Sequence, residues 1–189
     1  MIKPFDFYFD FISPYSFLAH KQIRKIENNQ SIRIRYQPIL LGGLHNLHGI
    51  KAPAFIPAKA KHMIRDCKLI AEKNNIKFKF NSYFPIKSLN LMRGVLVAEE
   101  DNIKNYYIDN IFNTIWQDGL NMNDDIVIQK VLKNLNINPK TFGLRSTSSQ
   151  IKDSLRKKTT DAYERGVFGA PTFIANSKIF WGQDRIEFA

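Results

Sequence analysis

Cysteine is almost missing from this chain: Cys67 is the only one among 189 residues. No intramolecular disulfide can form, and no pair of cysteines can hold a metal. Cys67 falls at an apolar-periodic position of a predicted helix, which points to a buried, inert thiol. Long apolar runs are missing too. No stretch of about 18 such residues occurs, so no transmembrane helix is signalled. The opening Met1-Ile2-Lys3-Pro4-Phe5-Asp6 lacks the charged-then-apolar layout of a secretory signal. A cytoplasmic location is the expectation. Acids are scarce, at 17 Asp plus Glu against 28 Lys plus Arg, which gives a formal charge of +11. The surplus attracts anions. The basic residues are scattered, however, and no paired Cys and His ligands or aromatic ribonucleoprotein strand accompany them, so nucleic acid is not the expected partner. Small anionic ligands account for the same surplus. Arg156-Lys157-Lys158 reads as a solvated helix face. His45 and His48 lack a further ligand nearby and suggest no metal site.

What is present is a folded composition, with 44% hydrophobic and 13% aromatic residues, sized for one domain carrying an insertion. Phe5, Phe7, Phe9 and Phe11 alternate with Asp6, Tyr8 and Asp10, the period of a strand. Ser13-Pro14 follows, then a helical pattern over about residues 15–28 through Phe17, Leu18, Ile23 and Ile26. Ile32, Ile34 and Tyr36 form a second strand pattern that ends at Pro38. A β-α-β unit is expected. Residues 41–57 read as a loop containing Gly, His, Asn and Pro. Helical periods follow over about 59–74, 89–100, 103–116, 124–135 and 149–165. Two strands, Thr172 to Ala175 and Lys178 to Trp181, flank the turn Asn176-Ser177 and predict an antiparallel hairpin.

This order predicts an α/β protein: a thioredoxin-like βαβ…αββ core from residues 1–41 and 150–189, interrupted by an all-helical insertion over 42–149. The helix that usually closes such a core is largely missing, because only Arg185 to Ala189 follow the last strand motif. Either another segment or a partner subunit, as in a homodimer, then covers the exposed sheet face, or the chain is a shortened and less stable form of this fold.

The chemistry concentrates at Ser13-Pro14-Tyr15-Ser16, between the first strand and the first long helix. Thioredoxin-type oxidoreductases carry Cys-x-x-Cys there, because the unpaired N–H groups of a helix N-terminus stabilise a thiolate. Both cysteine positions are serine here, which excludes dithiol exchange. A positive helix end and a hydroxyl remain, suited to a sulfur brought by another molecule. Ser-Pro ahead of a helix is also an ordinary N-cap. The functional reading gains from Gly169-Ala170-Pro171-Thr172, a proline immediately before a strand, where this fold keeps a cis-proline beside the active helix. The backbone of Ala170 is then available to pair with a peptide ligand.

Residues 6–19, Asp6-Phe7-Tyr8-Phe9-Asp10-Phe11-Ile12-Ser13-Pro14-Tyr15-Ser16-Phe17-Leu18-Ala19, resemble 2-hydroxychromene-2-carboxylate isomerases and the related kappa-class glutathione transferases. So do Gly166 to Phe173 and Phe180-Trp181-Gly182-Gln183-Asp184-Arg185. The resemblance implies glutathione as cofactor, with Ser13 engaging its sulfur. It implies that Ala170 and Pro171 pair with the tripeptide backbone and that Trp181, Gly182, Gln183 and Asp184 hold the γ-glutamyl end. Gly49-Ile50-Lys51-Ala52-Pro53 is similar to the family's substrate-side loop, which makes Lys51 the expected cation for an anionic substrate. Ile50 departs from the asparagine usual in that loop. The implied activity is isomerisation of an aromatic or conjugated carboxylate. Glutathione transfer and non-catalytic binding of a thiol peptide stand as alternatives.

Overall fold

A computed structural model describes residues 5–29 and 33–189. Four strands form one sheet in the order β2-β1-β3-β4: β1 (Phe5–Phe9), β2 (Ile34–Pro38), β3 (Thr172–Ala175) and β4 (Lys178–Trp181). β1 runs parallel to β2, with Phe7 opposite Tyr36, and antiparallel to β3, with Phe7 opposite Phe173. β3 and β4 make the predicted hairpin, and Asn176 and Ser177 both take positive φ at its turn. That is the backbone a two-residue loop needs to match the twist of its strands. Ile32, read as part of the second strand, lies outside the described residues.

Every residue of β1 is buried, because helices cover both faces of the sheet. On one face Phe5, Phe7 and Phe9 join a core with α1 (Pro14–Asn29), α3 (Pro57–Lys73), α4 (Leu89–Glu100) and α5 (Lys104–Trp116). On the other, Tyr8 and Ile174 pack with Ile39, Ala162 and Val167; Ala162 belongs to α8 (Ser149–Glu164). Each fully buried phenylalanine contributes roughly 1.5–3 kcal/mol. Phe7, Phe9, Phe11, Phe17, Phe112 and Phe173 are all at zero exposure, so this aromatic block carries much of the fold. No helix among the described residues is long and apolar enough to cross a membrane.

Two segments correct the sequence reading. Residues 41–57 are not all loop: Leu41–His48 is a helix, α2, followed by a single 3₁₀ turn at Pro53–Phe55. Gly42 and Gly43 hid it, since each glycine costs about 1 kcal/mol in a helix interior. Three contacts outweigh that cost. The Asp10 carboxylate accepts the Leu41 N–H at the helix start, Leu44 is fully buried, and Gly49 takes φ +66 at the C-terminal cap. The second is α7 (Pro139–Ser146), which follows α6 (Asp125–Asn134) and which the periodicity missed. Asn138 caps it by accepting the N–H groups of Lys140 and Thr141, with Pro139 in the first turn.

The segment after β4 folds back on α1. Gln22 Nε2 donates to Gln183 Oε1 at 2.9 Å, and Ile186 is buried in the main core. The chain's own last turn thus occupies ground beside the active helix.

The far half of α1 is tied to β2 and α5 by a buried polar cluster. His20, at zero exposure, places Nδ1 3.0 Å from the Tyr36 hydroxyl and Nε2 2.8 Å from Asp109 Oδ1. Arg24 Nε donates to the same carboxylate oxygen at 2.8 Å. Burial, only partly offset by Asp109, pulls the His20 pKa down to about 4. An unfolded chain therefore binds a proton at this residue below about pH 6.5, whereas the native state resists it until about pH 4. Stability is fully present above that window and falls as pH drops through it. Urea unfolding at about pH 5 is expected to give a free energy on the order of 2 kcal/mol below that at about pH 7.5, with the slope flattened in His20→Phe.

Candidate functional site

The site is built on the turn between β1 and α1. Ser13 N–H donates to the Asp10 carbonyl at 3.1 Å, which closes the turn, and Pro14 begins the helix with φ preset and no N–H to satisfy. Ser13 Oγ accepts the Ser16 N–H at 3.1 Å, so the residue is an N-cap. Its hydroxyl also donates to the Ala170 carbonyl at 3.0 Å, across 157 positions of sequence. The Ala170-Pro171 bond is cis. Capping and presentation to the cis-proline loop are therefore performed by one hydroxyl. With Ser16 N–H taken and Pro14 lacking one, the Tyr15 N–H is the first-turn donor left without a partner among the described residues.

The second wall comes from β3 and β4. Gly182 N–H donates to the Pro171 carbonyl at 3.0 Å, locking the end of β4 onto the cis-proline. A Cβ on Gly169 would lie 2.6 Å from Trp181 Nε1, so the absence of a side chain there lets the indole close over the loop. Trp181 is 54% exposed and packs on Phe168 with ring centroids 5.1 Å apart. Gly182 has φ +115, and a Cβ there would approach Asp184 Oδ1 to 2.6 Å. Asp184 pairs with Arg185 at 2.9 Å. The geometry thus brings Ser13 to the Ala170-Pro171 peptide and Trp181 and Gly182 to the same loop, while Gln183 reaches Gln22 farther along α1 and Asp184 pairs with Arg185. Lys51 stands apart. It is exposed, on the segment between α2 and the 3₁₀ turn, and makes none of the hydrogen bonds that join the other residues.

Four groups that the motif reading did not single out hold the turn in place. Phe11 N–H donates to Met92 Sδ at 3.3 Å, and Phe11 O accepts the Trp116 indole N–H at 2.9 Å. The Asp10 carboxyl, at zero exposure, accepts from Ile12 N–H and Leu41 N–H and is hydrogen-bonded by Ser88. Burial pushes its pKa up, and those donors pull against the rise. A second acid following an aromatic-rich strand was the available signal for it. Tyr15 donates to Asp66 Oδ2 at 2.7 Å, fastening the helix mouth to α3. Cys67 is buried, and burial with Asp66 beside it raises its thiol far above neutrality. It is not a nucleophile. No group of three or more metal-ligating side chains occurs among the described residues.

A hydroxyl at a helix N-terminus, facing a cis-proline loop, is the thioredoxin-type arrangement with oxygen in place of sulfur. Residues 5–189 match the DSBA-like thioredoxin domain, and the chain belongs to that family. Within it, the chain is 29% identical over 190 residues to the 2-hydroxychromene-2-carboxylate isomerase of Sphingobium xenophagum, covering 100% of this chain and 96% of the relative. It is 27% identical over 196 residues to glutathione S-transferase kappa 1 of Caenorhabditis elegans, covering 96% and 87%. Among solved structures, a 2-hydroxychromene-2-carboxylate isomerase superposes with a TM-score of 0.89 at 25% identity, over 98% of this chain and 92% of that one.

Proposed function

We propose that the protein is a glutathione-dependent isomerase of an aromatic or conjugated carboxylate of the 2-hydroxychromene-2-carboxylate kind, in which Ser13 holds the glutathione sulfur as a thiolate. The observation that carries this reading is the Ser13 hydroxyl at the mouth of α1, 3.0 Å from the carbonyl that precedes Pro171. A sulfur seated there accepts the hydrogen bond of the Ser13 hydroxyl in place of the Ala170 carbonyl and lies near the Tyr15 N–H and the positive end of the helix. All three favour the anion over the thiol. Ala170 and Pro171 supply backbone for the tripeptide, and Trp181, Gly182, Gln183 and Asp184 flank its γ-glutamyl end. The cytoplasm, rich in reduced thiols, is the expected setting, and there Cys67 stays reduced.

In the reaction, the ring C–O bond of the hemiketal opens, its hydroxyl proton passing to the phenol oxygen, and the thiolate adds to the electrophilic carbon of the conjugated ketone so formed, making a C–S bond and moving the electron pair onto the ketone oxygen. The former double bond is then free to rotate. Return of that pair expels the thiolate, so glutathione is regenerated and the product has the mass of the substrate. The relationship to a kappa-class transferase supports a second reading, in which the C–S bond is kept and another group leaves. Incubation with glutathione and either 2-hydroxychromene-2-carboxylate or a chlorinated nitroaromatic, followed by mass spectrometry, separates the two. An isomer of unchanged mass supports the proposal. A glutathione adduct alone supports transfer, and no new product with tight glutathione binding leaves only a binding protein.

Lys51, exposed on the segment between α2 and the 3₁₀ turn, is the cation this reading assigns to the substrate carboxylate. Lys51→Met is expected to raise KM for the carboxylate substrate about two- to fivefold with kcat little changed, because a screened surface cation contributes uniform binding. Steady-state kinetics check this, and glutathione affinity should stay as in the native protein.

A further inference from the structure

We propose that Asp10 is a positioning residue for Ser13, its carboxylate clamping the turn that presents the Ser13 hydroxyl to the Ala170-Pro171 peptide. The inference rests on the reading of Ser13 as the residue that holds the glutathione sulfur.

Asp10 is fully buried and forms no salt bridge among the described residues. Burying a carboxylate without a cation is costly unless its oxygens are well supplied with donors. Both are. Oδ1 accepts the Ile12 N–H at 3.1 Å and Oδ2 accepts the Leu41 N–H at 2.8 Å, and the Ser88 hydroxyl adds a third hydrogen bond. The Asp10 backbone carbonyl accepts the Ser13 N–H itself. Three helices begin beside these contacts: α1 at Pro14, α2 at Leu41 and α4 at Leu89. Their N-termini each carry partial positive charge, which one central anion offsets. Side chain and main chain of a single residue thus join the end of β1, the start of α1 and the starts of α2 and α4.

The two backbone donors approach opposite oxygens, which only a carboxylate can satisfy. An asparagine would turn its NH₂ toward one of the N–H groups and lose that contact, so the isosteric change acts as a disruptive one. The affected groups are the amide of Ile12, immediately before Ser13, and the first turn of α2, whose far end leads to Lys51. A displacement of Ser13 by about 1 Å is enough to cost on the order of a hundredfold in rate.

The test compares native protein, Asp10→Asn and the milder Ser88→Ala, each checked for folding by circular dichroism. Glutathione affinity is measured by calorimetry, the pKa of the bound thiol by ultraviolet titration, and turnover with 2-hydroxychromene-2-carboxylate. Positioning predicts turnover down about a hundredfold in Asp10→Asn, with glutathione affinity within about threefold and the bound thiol's pKa raised. Ser88→Ala should move the same quantities in the same direction by about threefold, and it decides the matter if Asp10→Asn does not fold. The sign of the thiol shift is the discriminating readout. Loss of a nearby negative charge alone would lower the thiol pKa, whereas loss of the Ser13 contact raises it. A fall or no change, or unchanged turnover in folded variants, overturns the inference. If the native protein itself shows no thiolate on binding glutathione, the reading of Ser13 fails instead.

Discussion

Ser13→Ala is expected to abolish the thiolate absorbance of bound glutathione near neutral pH and to lower turnover a hundredfold or more, while leaving most of the glutathione affinity intact. The variant removes the donor aimed at the sulfur, and deletion of one such donor to a developing or resident anion costs about 10²- to 10³-fold. The other contacts proposed for the tripeptide, the Ala170 backbone and the Trp181 to Asp184 segment, are untouched, so binding should survive better than chemistry. Stability should fall as well. Ser13 Oγ caps α1 by accepting the Ser16 N–H and also satisfies the Ala170 carbonyl, and loss of a serine N-cap costs about 1 kcal/mol. The two effects are separable, because difference spectra with glutathione report the sulfur and urea unfolding reports the cap. A thiolate band that persists in Ser13→Ala would remove the hydroxyl from the mechanism.

The largest effect on folding is expected at Gly94, in the middle of α4. A Cβ built there lies 2.3 Å from Tyr107 Oη, 2.8 Å from Tyr107 Cζ and 3.0 Å from Phe142 Cε1. Alanine is the better helix former by about 1 kcal/mol. That gain is overwhelmed, because Tyr107 is 1% exposed, its hydroxyl donates to the Leu91 carbonyl, and neither ring has room to retreat. Gly94→Ala should therefore lose about 3 kcal/mol in urea or thermal unfolding, the cost of overpacking a dense core. Gly143→Ala is the internal control. Nothing lies within 4 Å of its built Cβ, so the same change in α7 should be neutral or stabilising. Gly94→Ala adding Tyr107→Phe should recover part of the loss, since the nearest clashing atom is then gone. Equal stability of Gly94→Ala and the native chain would mean that α4 and α5 are free to separate.

The parts of this architecture that are governed by local rules were readable in advance. Alternating phenylalanines announced β1, Ser13-Pro14 announced the start of α1, and the turn residues Asn176-Ser177 announced the hairpin. The site motifs at both ends of the chain were likewise visible, because each rests on a short local pattern. What stayed hidden depends on partners distant in sequence. The glycines at 42 and 43 argue against a helix, and part of what makes α2 favourable is the carboxylate of Asp10, 31 residues away. Asn138-Pro139 did carry a start signal for α7, but eight residues are too few for periodicity to register. The supports of the Phe11 peptide have no local signature at all, since a thioether and an indole are ordinary core residues until the fold brings them to one peptide group.

That last arrangement constrains how such a chain can be altered. The Phe11 peptide sits two residues before Ser13, and both its hydrogen bonds go to side chains of α4 and α5, elements that a minimal βαβ…αββ core does not possess. Trimming the chain back to such a core, or exchanging its helices for those of a distant homologue, would strip the turn that carries Ser13 of two of its fastenings. The sheet and the helices between its halves are accordingly coupled through Phe11, and neither can be exchanged without disturbing the turn that the other supports.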